Sequence, residues 1–548
     1  MLDLETIRRD RAARIARWRA EGVYGDLTYA DYIREGAARF GGTRLVFHSR
    51  QRPHDTTVGN MDRDATRLAA AFHALGLSRG DAVAIVLPTW AETTLACLAA
   101  LKLGLTVVPI VAIYGAREIG FIVRQTRAKA LVTPDAWRGH DYLQRVEAAC
   151  PMPDLVHRIV VGDRASPGAV TWDELLSHGG DHHPHPEGDA DNVCLIIYTS
   201  GTTADPKGVK HTHNTMLCDL NADRSAGTGV SAVGAQVAGP TLSVFPAGHI
   251  AGFLAMLRPF LYGAETVFMD QWIPEDGARL IAQHRITSST GTPIFLSSLM
   301  RAAKETGADI SSLRRFGLGA APVTPENVRW TDKLGFPGAR VYGMTEHTAI
   351  SAGGEGPFEK RAFTDGQITP RNEVRILGED GRDLPAGEAG EIASRGPRLF
   401  MGYVDERLDQ ASFLPGGWFK TGDIGRLDAD GYLTITDRKK DIIIRGGENI
   451  SAKEIEDLLA GLPGVIESAV TAMPDPEMGE RVCAFVIAQP DVTVTLDDVA
   501  SHFRRLGVTR QKTPEKVVQL DDLPRTASGK VKKAELRDWL RTSSLPAV

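Results

Sequence analysis

From Asp81 onward the chain alternates short apolar runs with longer stretches of helical spacing, and this alternation constrains the fold more than any other feature. DAVAIVLP reads as a buried strand, AETTLACLAALKLG as a helix, LTVVPI as a strand, and AKALVTPD and HRIVVGD as further strands. Strands separated by helices need crossover connections, which produce a mainly parallel sheet with helices on its faces. A second round follows: VCLIIY, a helix after Lys207, then TLSVFP, GFLAMLRPFLYG and ETVFMD. Between Asp365 and Asp437 short runs are divided by Gly and Asp turns, as in ILGEDGRDLPAGEAGEI and GRLDADGYLTIT, which is β-meander or barrel texture. After Lys440 a smaller unit begins: a strand, the helix AKEIEDLLAGL, another strand and helix, and a basic tail. At 548 residues the chain is too long for one hydrophobic core. The expected fold is α/β. Residues 1–439 form a large N-terminal domain of parallel-type α/β subdomains plus a β-barrel-like subdomain, and residues 440–548 form a small α+β domain.

Charge and composition exclude several classes. The net charge of −6 leaves no excess of basic side chains for bulk nucleic-acid binding. Five scattered cysteines give neither a disulfide framework nor zinc spacing and fit a reducing, cytoplasmic setting. The opening MLDLETIRRDRAARIARW lacks the apolar run of a secretory signal, and Asp3, Glu5 and Asp10 argue against a transit peptide. Leu4, Ile7, Arg11, Ile15 and Trp18 follow helical spacing, which predicts a terminal helix docked on its own protein rather than on a membrane surface. The longest apolar stretch, Thr93 to Tyr114, is interrupted by Lys102, Gly104 and Pro109 and reads as a helix plus a strand, so no integral membrane association is expected. Residues 177–192 are polar and turn-rich and read as a linker. Prolines among His182, His183 and His185 break regular metal-ligand geometry.

The strongest local feature is YTSGTTADPKGVKHTH, Tyr198 to His213, directly after the strand VCLIIY. Ser200, Thr202 and Thr203 offer hydroxyls, Gly201 and Gly208 let the backbone approach a ligand, and Lys207 adds a mobile charge; together they suit a nucleotide polyphosphate. Lys207 precedes Gly208 and no GK[ST] follows, so this is not a Walker A loop. Downstream stand GLGAAPVT (317–324), VYGMTEHT (341–348), GWFKTGDIGRLDADGYLTITDRKKDIIIRGGENISAKEIE (417–456) and PRTASGKVKKAEL (524–536).

With these motifs in this order, the chain closely resembles the adenylate-forming superfamily of acyl-CoA synthetases, aryl-CoA ligases, luciferases and peptide-synthetase adenylation domains. The resemblance implies ATP, Mg²⁺ and coenzyme A as co-substrates and a mobile C-terminal domain. Thr199, Ser200, Gly201, Thr202, Thr203 and Lys207 resemble the loop that grips the β- and γ-phosphates, with Ala204 where the family usually has glycine. Tyr342, in the segment with Gly343 and Met344, is similar to the aromatic that stacks on adenine, with Ala320, Ala321 and Pro322 opposite. Thr345 would touch the α-phosphate, and Glu346 would hold Mg²⁺, a suitable hard-cation ligand. Asp423 matches the acid that binds the ribose hydroxyls, Arg438 the arginine beside it, Ile435 belongs to the same nucleotide segment, and Lys440 falls at the hinge. Lys530 resembles the catalytic lysine between carboxylate and α-phosphate, and Gly446 and Gly447 the glycine strand that admits a pantetheine arm.

SVFPAGHIAGF resembles the segment near the acyl pocket, with His249 beside the reacting carboxylate and Gly317 and Gly319 on the pocket floor. No acidic residue occurs between Thr241 and Glu265, which disfavours amino-acid substrates, because an unpaired ammonium in an apolar pocket is costly. The expected reaction is activation of an aliphatic, alicyclic or aromatic acid to acyl-AMP and transfer to CoA. The alternatives are loading of a carrier-protein thiol and a non-catalytic or oxidising relative, such as a luciferase-like enzyme.

Overall fold

The computed structural model describes residues 2–180, 188–199, 206–226, 239–354, 356–446, 448–526 and 528–542. Among them, a seven-stranded sheet runs in the spatial order Lys207–Thr212, Val193–Thr199, Thr106–Pro109, Ala82–Ile85, Ala130–Pro134, His157–Val161 and Val170–Thr171. It is parallel except for the hairpin formed by the first two strands. Its central strands AVAI, TVVP and ALVTP are buried on both faces, as a sheet covered twice by helices requires. The helix Ala91–Lys102 is apolar all round and buried along almost its whole length. Lys102 is accommodated there by an ion pair with Asp62 at 2.7 Å.

A second sheet, of nine strands, has a parallel interior of Arg44–His48, Thr266–Met269, Thr241–Ser243, Ser288–Gly291, Arg315–Gly319 and Ala339–Tyr342, with short antiparallel strands at both edges. The Asp365 to Asp437 region is the expected meander. Glu373–Leu377, Gly390–Arg395, Trp418–Leu427 and Leu433–Arg438 are joined in an antiparallel sheet. The C-terminal region forms its own small α+β unit, with strands Val465–Asp475 and Gly479–Ala488 at its centre and a separate core including Ile443, Ile455, Val470, Val482 and Phe503. The architecture is thus a large N-terminal domain of parallel-type sheets and a small C-terminal domain.

One element departs from the sequence reading. Lys207–Thr212 is a strand, and the helix after it begins only at His213. Gly208 faces Tyr198 across this hairpin so closely that an added Cβ would lie 2.8 Å from the Tyr198 ring. The Thr212 hydroxyl then accepts from Thr215 N–H and starts the helix. The N-terminal helix, Leu4–Ala20, docks on the protein with Ile7 and Trp18 buried. Among the described residues no helix is long and apolar enough to cross a membrane, and all five cysteines are free. His182, His183 and His185 lie outside the described residues.

Candidate active site

The motifs converge at the carboxyl ends of parallel strands, where open α/β sheets present loops to ligands. Thr199 ends its strand, Gly319 to Pro322 leave the strand Arg315–Gly319, Gly343 to Glu346 leave Ala339–Tyr342, and His249 follows Thr241–Ser243 by a short loop. That loop ties the two sheets together. Ala247 N–H donates to Thr89 Oγ1 at 3.2 Å, and a Cβ on Gly248 would stand 2.5 Å from Val111 N, so only glycine permits the approach.

The Tyr342 hydroxyl donates to Asp423 Oδ2 at 2.7 Å, and Arg438 Nε lies 3.1 Å from Asp423 Oδ1. Asp423 and Arg438 are direct cross-strand partners in the antiparallel pair Trp418–Leu427 and Leu433–Arg438, beside a register shift at Ile424/Gly425. A carboxylate has about four acceptor positions, so Asp423 keeps capacity for two more hydroxyl donors. Ile435 packs on the cluster that holds Tyr342, and its N–H donates to Asp365 at 2.8 Å. Ala320 adopts φ +61°, a left-handed conformation that costs an alanine roughly 1–2 kcal/mol, on the exposed turn leaving its strand.

The loop after Tyr342 is pinned from below. His211, pushed down to about 4 by burial and therefore neutral, donates its Nε2–H to Thr345 O at 2.7 Å. Buried His347 bonds Ser394 and Asn372 at 2.9 and 3.1 Å. Between them the buried Glu346 carboxylate accepts from the Tyr403 hydroxyl at 2.8 Å. Burial raises its pKa above the ordinary value against the opposing Tyr403 bond and the charges of Lys207 and Arg438. Lys207 Nζ lies 5.7 Å from the Tyr403 ring centroid. Such a carboxylate fits Mg²⁺, which takes one or two carboxylates plus substrate phosphate oxygens rather than a protein cage. Among the described residues no group of three or more His, Cys, Asp or Glu gathers as such a cage.

Lys530 reaches this cleft from the small domain. A tight turn presents it: Gly529 has φ +82°, Thr526 N–H donates to Lys530 O at 2.8 Å, and Arg525 holds Glu467 in a fork at 2.9 and 2.6 Å. The turn is seated on the large domain, since a Cβ on Gly529 would lie 2.9 Å from Thr292 Oγ1 and 3.2 Å from Ile294 Cγ2. Among the described residues Thr292 Oγ1, itself buried, has no hydrogen-bond partner. Burial, then the charges of Arg438 and Lys440, push the Lys530 ammonium down to about 7. His249 stacks on Phe245 at 5.4 Å; burial and then Lys530 push it down to about 4. One cleft therefore joins the Lys530 ammonium, the Asp423 carboxylate and the buried Glu346 carboxylate.

A family model described as AMP-binding enzyme matches residues 33–404, and one described as AMP-binding enzyme C-terminal domain matches residues 454–530. The chain belongs to the AMP-binding enzyme family. It is an adenylate-forming ligase, of a family that uses ATP with Mg²⁺ and CoA as co-substrate. The medium-chain fatty-acid–CoA ligase of Escherichia coli (strain K12) is 32% identical over 96% of this chain and 92% of its own length. The salicyl-AMP ligase/salicyl-S-ArCP synthetase of Mycobacterium tuberculosis is 31% identical over 95% of this chain and 92% of its own. Among solved structures, ATP-bound MatB from Rhodopseudomonas palustris superposes with a TM-score of 0.80 at 26% identity, covering 93% of this chain and 99% of its own.

For this AMP-binding enzyme, Ser200, Gly201, Thr202, Thr203 and Ala204 of the expected phosphate loop, and Gly447, lie outside the described residues. The loop's flanks, Thr199 and Lys207, face each other across the hairpin. Gly446 lies at a turn against Met478 of the small domain. Gly317 is covered by Thr290, whose Oγ1 would be 3.1 Å from an added Cβ, and Gly319 abuts the Val341 carbonyl at 2.9 Å in the same sense. Thr290, absent from the sequence reading, is exposed although its strand is interior to the nine-stranded sheet, and its side chain lies over Gly317. Its segment, RITSSTGT, is too polar to announce a central strand.

Proposed function

We propose that this enzyme activates a non-amino carboxylic acid, aliphatic, alicyclic or aromatic, as acyl-AMP and transfers the acyl group to CoA. A carboxylate oxygen attacks the α-phosphorus of ATP, the bond to the bridging oxygen breaks, and pyrophosphate leaves. Both reactants are anions, and Lys530 stands between them as the cation that lets them meet. Tyr342 and the Ala320–Pro322 turn enclose adenine, Asp423 accepts from the ribose hydroxyls with Arg438 beside it, Thr345 contacts the α-phosphate, and the segment from Thr199 to Lys207 holds the β- and γ-phosphates. Glu346 would hold Mg²⁺, which supplies charge neutralisation at the phosphates when bound. In the second step a thiolate attacks the acyl carbonyl and AMP departs.

The observation that carries this reading is the seating of the Lys530 turn against Thr292 and Ile294, with its charge felt at His249. Gly446 has small-domain neighbours in this arrangement. The same domain therefore has to turn, about Lys440, to bring Gly446 and Gly447 to the thiol. A boundary at 439/440 is supported by Lys439 N–H bonding Gly422 O of the strand Trp418–Leu427 while Asp441 pairs with Arg537 of the small domain at 2.9 Å. The aromatic group around His249 and the missing acid favour an apolar acid tail, and the free cysteines suit a cytoplasmic setting. The salicyl-AMP ligase likeness supports a second reading, transfer to a carrier-protein thiol. Acid-dependent AMP release with free CoA, across a panel of acids, tests the first. Release of pyrophosphate without any CoA-dependent thioester would favour the second.

A further inference from the structure

The N-terminal helix Leu4–Ala20 precedes the family match, which starts at residue 33. Its inward stripe is Ile7, Arg11, Arg14 and Trp18, so a buried arginine, Arg14, and a half-buried one, Arg11, sit in the middle of the docked face. The helix lies closely on the segment around Phe413, leaving a hollow of only about 10 Å³ lined by Leu2, Ile7, Arg14 and Phe413. Arg14 Nη2 donates to Phe400 O at 2.8 Å and reaches Met401 Sδ at 3.1 Å. Among the described residues it has no carboxylate partner, and its Nε is buried without an acceptor. Burying a guanidinium in this way costs stability, and an apolar side chain of similar length would serve mere docking better.

What Arg14 and Arg11 grip is the segment that bonds Glu346 from behind. Phe400 N–H donates to Glu346 O at 2.8 Å, and the Tyr403 hydroxyl donates to Glu346 Oε1 at 2.8 Å. Tyr403 N–H in turn donates to Asp409 Oδ1 at 2.8 Å, and Arg11 Nη2 holds Asp409 Oδ2 at 3.1 Å. The Arg11–Asp409 pair lies directly against Gly402, at φ +107°, where any side chain would collide with it. The segment Phe400 to Tyr403 is thus clamped between two arginines outside and one carboxylate inside. It also bonds the exit strand of the phosphate loop, through Met401 N–H to Lys210 O at 2.8 Å and Lys210 N–H to Gly402 O at 3.0 Å.

We propose that Arg11 and Arg14 are positioning residues of the nucleotide site, fixing the Glu346 carboxylate through Phe400, Tyr403 and Asp409 so that it meets metal-complexed nucleotide triphosphate. The proposal rests on the reading of Glu346 as the metal-facing carboxylate. The test is calorimetric titration of the full-length protein with α,β-methylene-ATP, with and without Mg²⁺, beside thermal melting. Arg14→Met and Arg11→Gln should each weaken the Mg²⁺-complexed analogue roughly tenfold or more, the usual cost of losing an outer partner of a metal ligand. They should leave the metal-free analogue within about twofold, a smaller change than any outer-partner loss. Arg8→Gln, which removes the exposed Arg8–Glu406 pair of the same helix, should change neither. If Glu346→Gln leaves the Mg²⁺-dependent affinity intact, the reading of Glu346 fails and this proposal with it. If Glu346→Gln weakens binding but Arg14→Met does not, the proposal alone falls. Equal losses with and without Mg²⁺ would also overturn it, since a loosened fold produces that pattern. Should Arg11→Gln fail to fold, Arg14→Met decides the matter, because it keeps the buried seat filled.

Discussion

The position of Lys530 has a pH signature that can be worked out from its surroundings. Its ammonium is pushed down to about 7 in the free enzyme, by burial first and then by Arg438 and Lys440, against about 10.4 for a lysine in water. A depressed lysine loses its charge as pH rises through the depressed value. With a pKa of about 7, roughly nine-tenths of the molecules carry the charge at pH 6 and roughly one-tenth at pH 8. If adenylation needs the charged form, kcat/KM for the acid and ATP falls about tenfold between those values, because this ratio reports the free enzyme. The kcat profile should fall only at higher pH, since two bound anions favour the ammonium. His249, pushed down to about 4, does not titrate in this window. The assay is initial pyrophosphate release at subsaturating ATP from pH 5.5 to 9, as far as the fold allows. Lys530→Arg, which stays charged throughout, should flatten the fall even if its overall rate is low. A wild-type profile flat to pH 9, or the same fall in Lys530→Arg, would refute the reasoning.

Three other outcomes are expected. Glu346→Gln should lower the pyrophosphate-release rate at limiting Mg²⁺ by at least about tenfold; full activity there would remove Glu346 from the metal site. Thr290→Phe should cut kcat/KM for bulky acids by roughly 10- to 200-fold while sparing short ones, as measured across an acid series; an unchanged series would place Thr290 away from the acyl chain. Gly248→Ala should destabilise by about 1–3 kcal/mol through overpacking on Val111, seen as a lower denaturant midpoint, and an unaltered midpoint would contradict the close approach.

The parallel sheets were legible because AVAI, TVVP and ALVTP are continuous apolar runs, which is how doubly covered strands look. KGVKHT is not legible as a strand because four of its six residues are polar and its partner is the preceding strand, whose register no local pattern states. The motif residues were legible by type and spacing, but their mutual geometry was not. Nothing in TGDIG says that Asp423 is opposite Arg438 or within reach of Tyr342. The partners of Arg11 and Arg14 are not legible in the helix itself because Asp409 and Phe400 lie nearly 400 positions away, at separations of 398 and 386 residues.

The central claim is that one chain performs two half-reactions with two arrangements of its small domain, and separating those half-reactions tests it most directly. Lys530→Ala should lose on the order of a hundred- to thousandfold in pyrophosphate release from acid and ATP, the cost of one preorganised charge. Given synthetic acyl-AMP and CoA, the same variant should form thioester at close to the normal rate. Lys440→Pro should do the reverse. Among the described residues no hydrogen bond uses the Lys440 N–H, so proline removes no bond there and its fixed φ would hinder rotation about this residue. Equal impairment of both half-reactions in both variants would contradict the account.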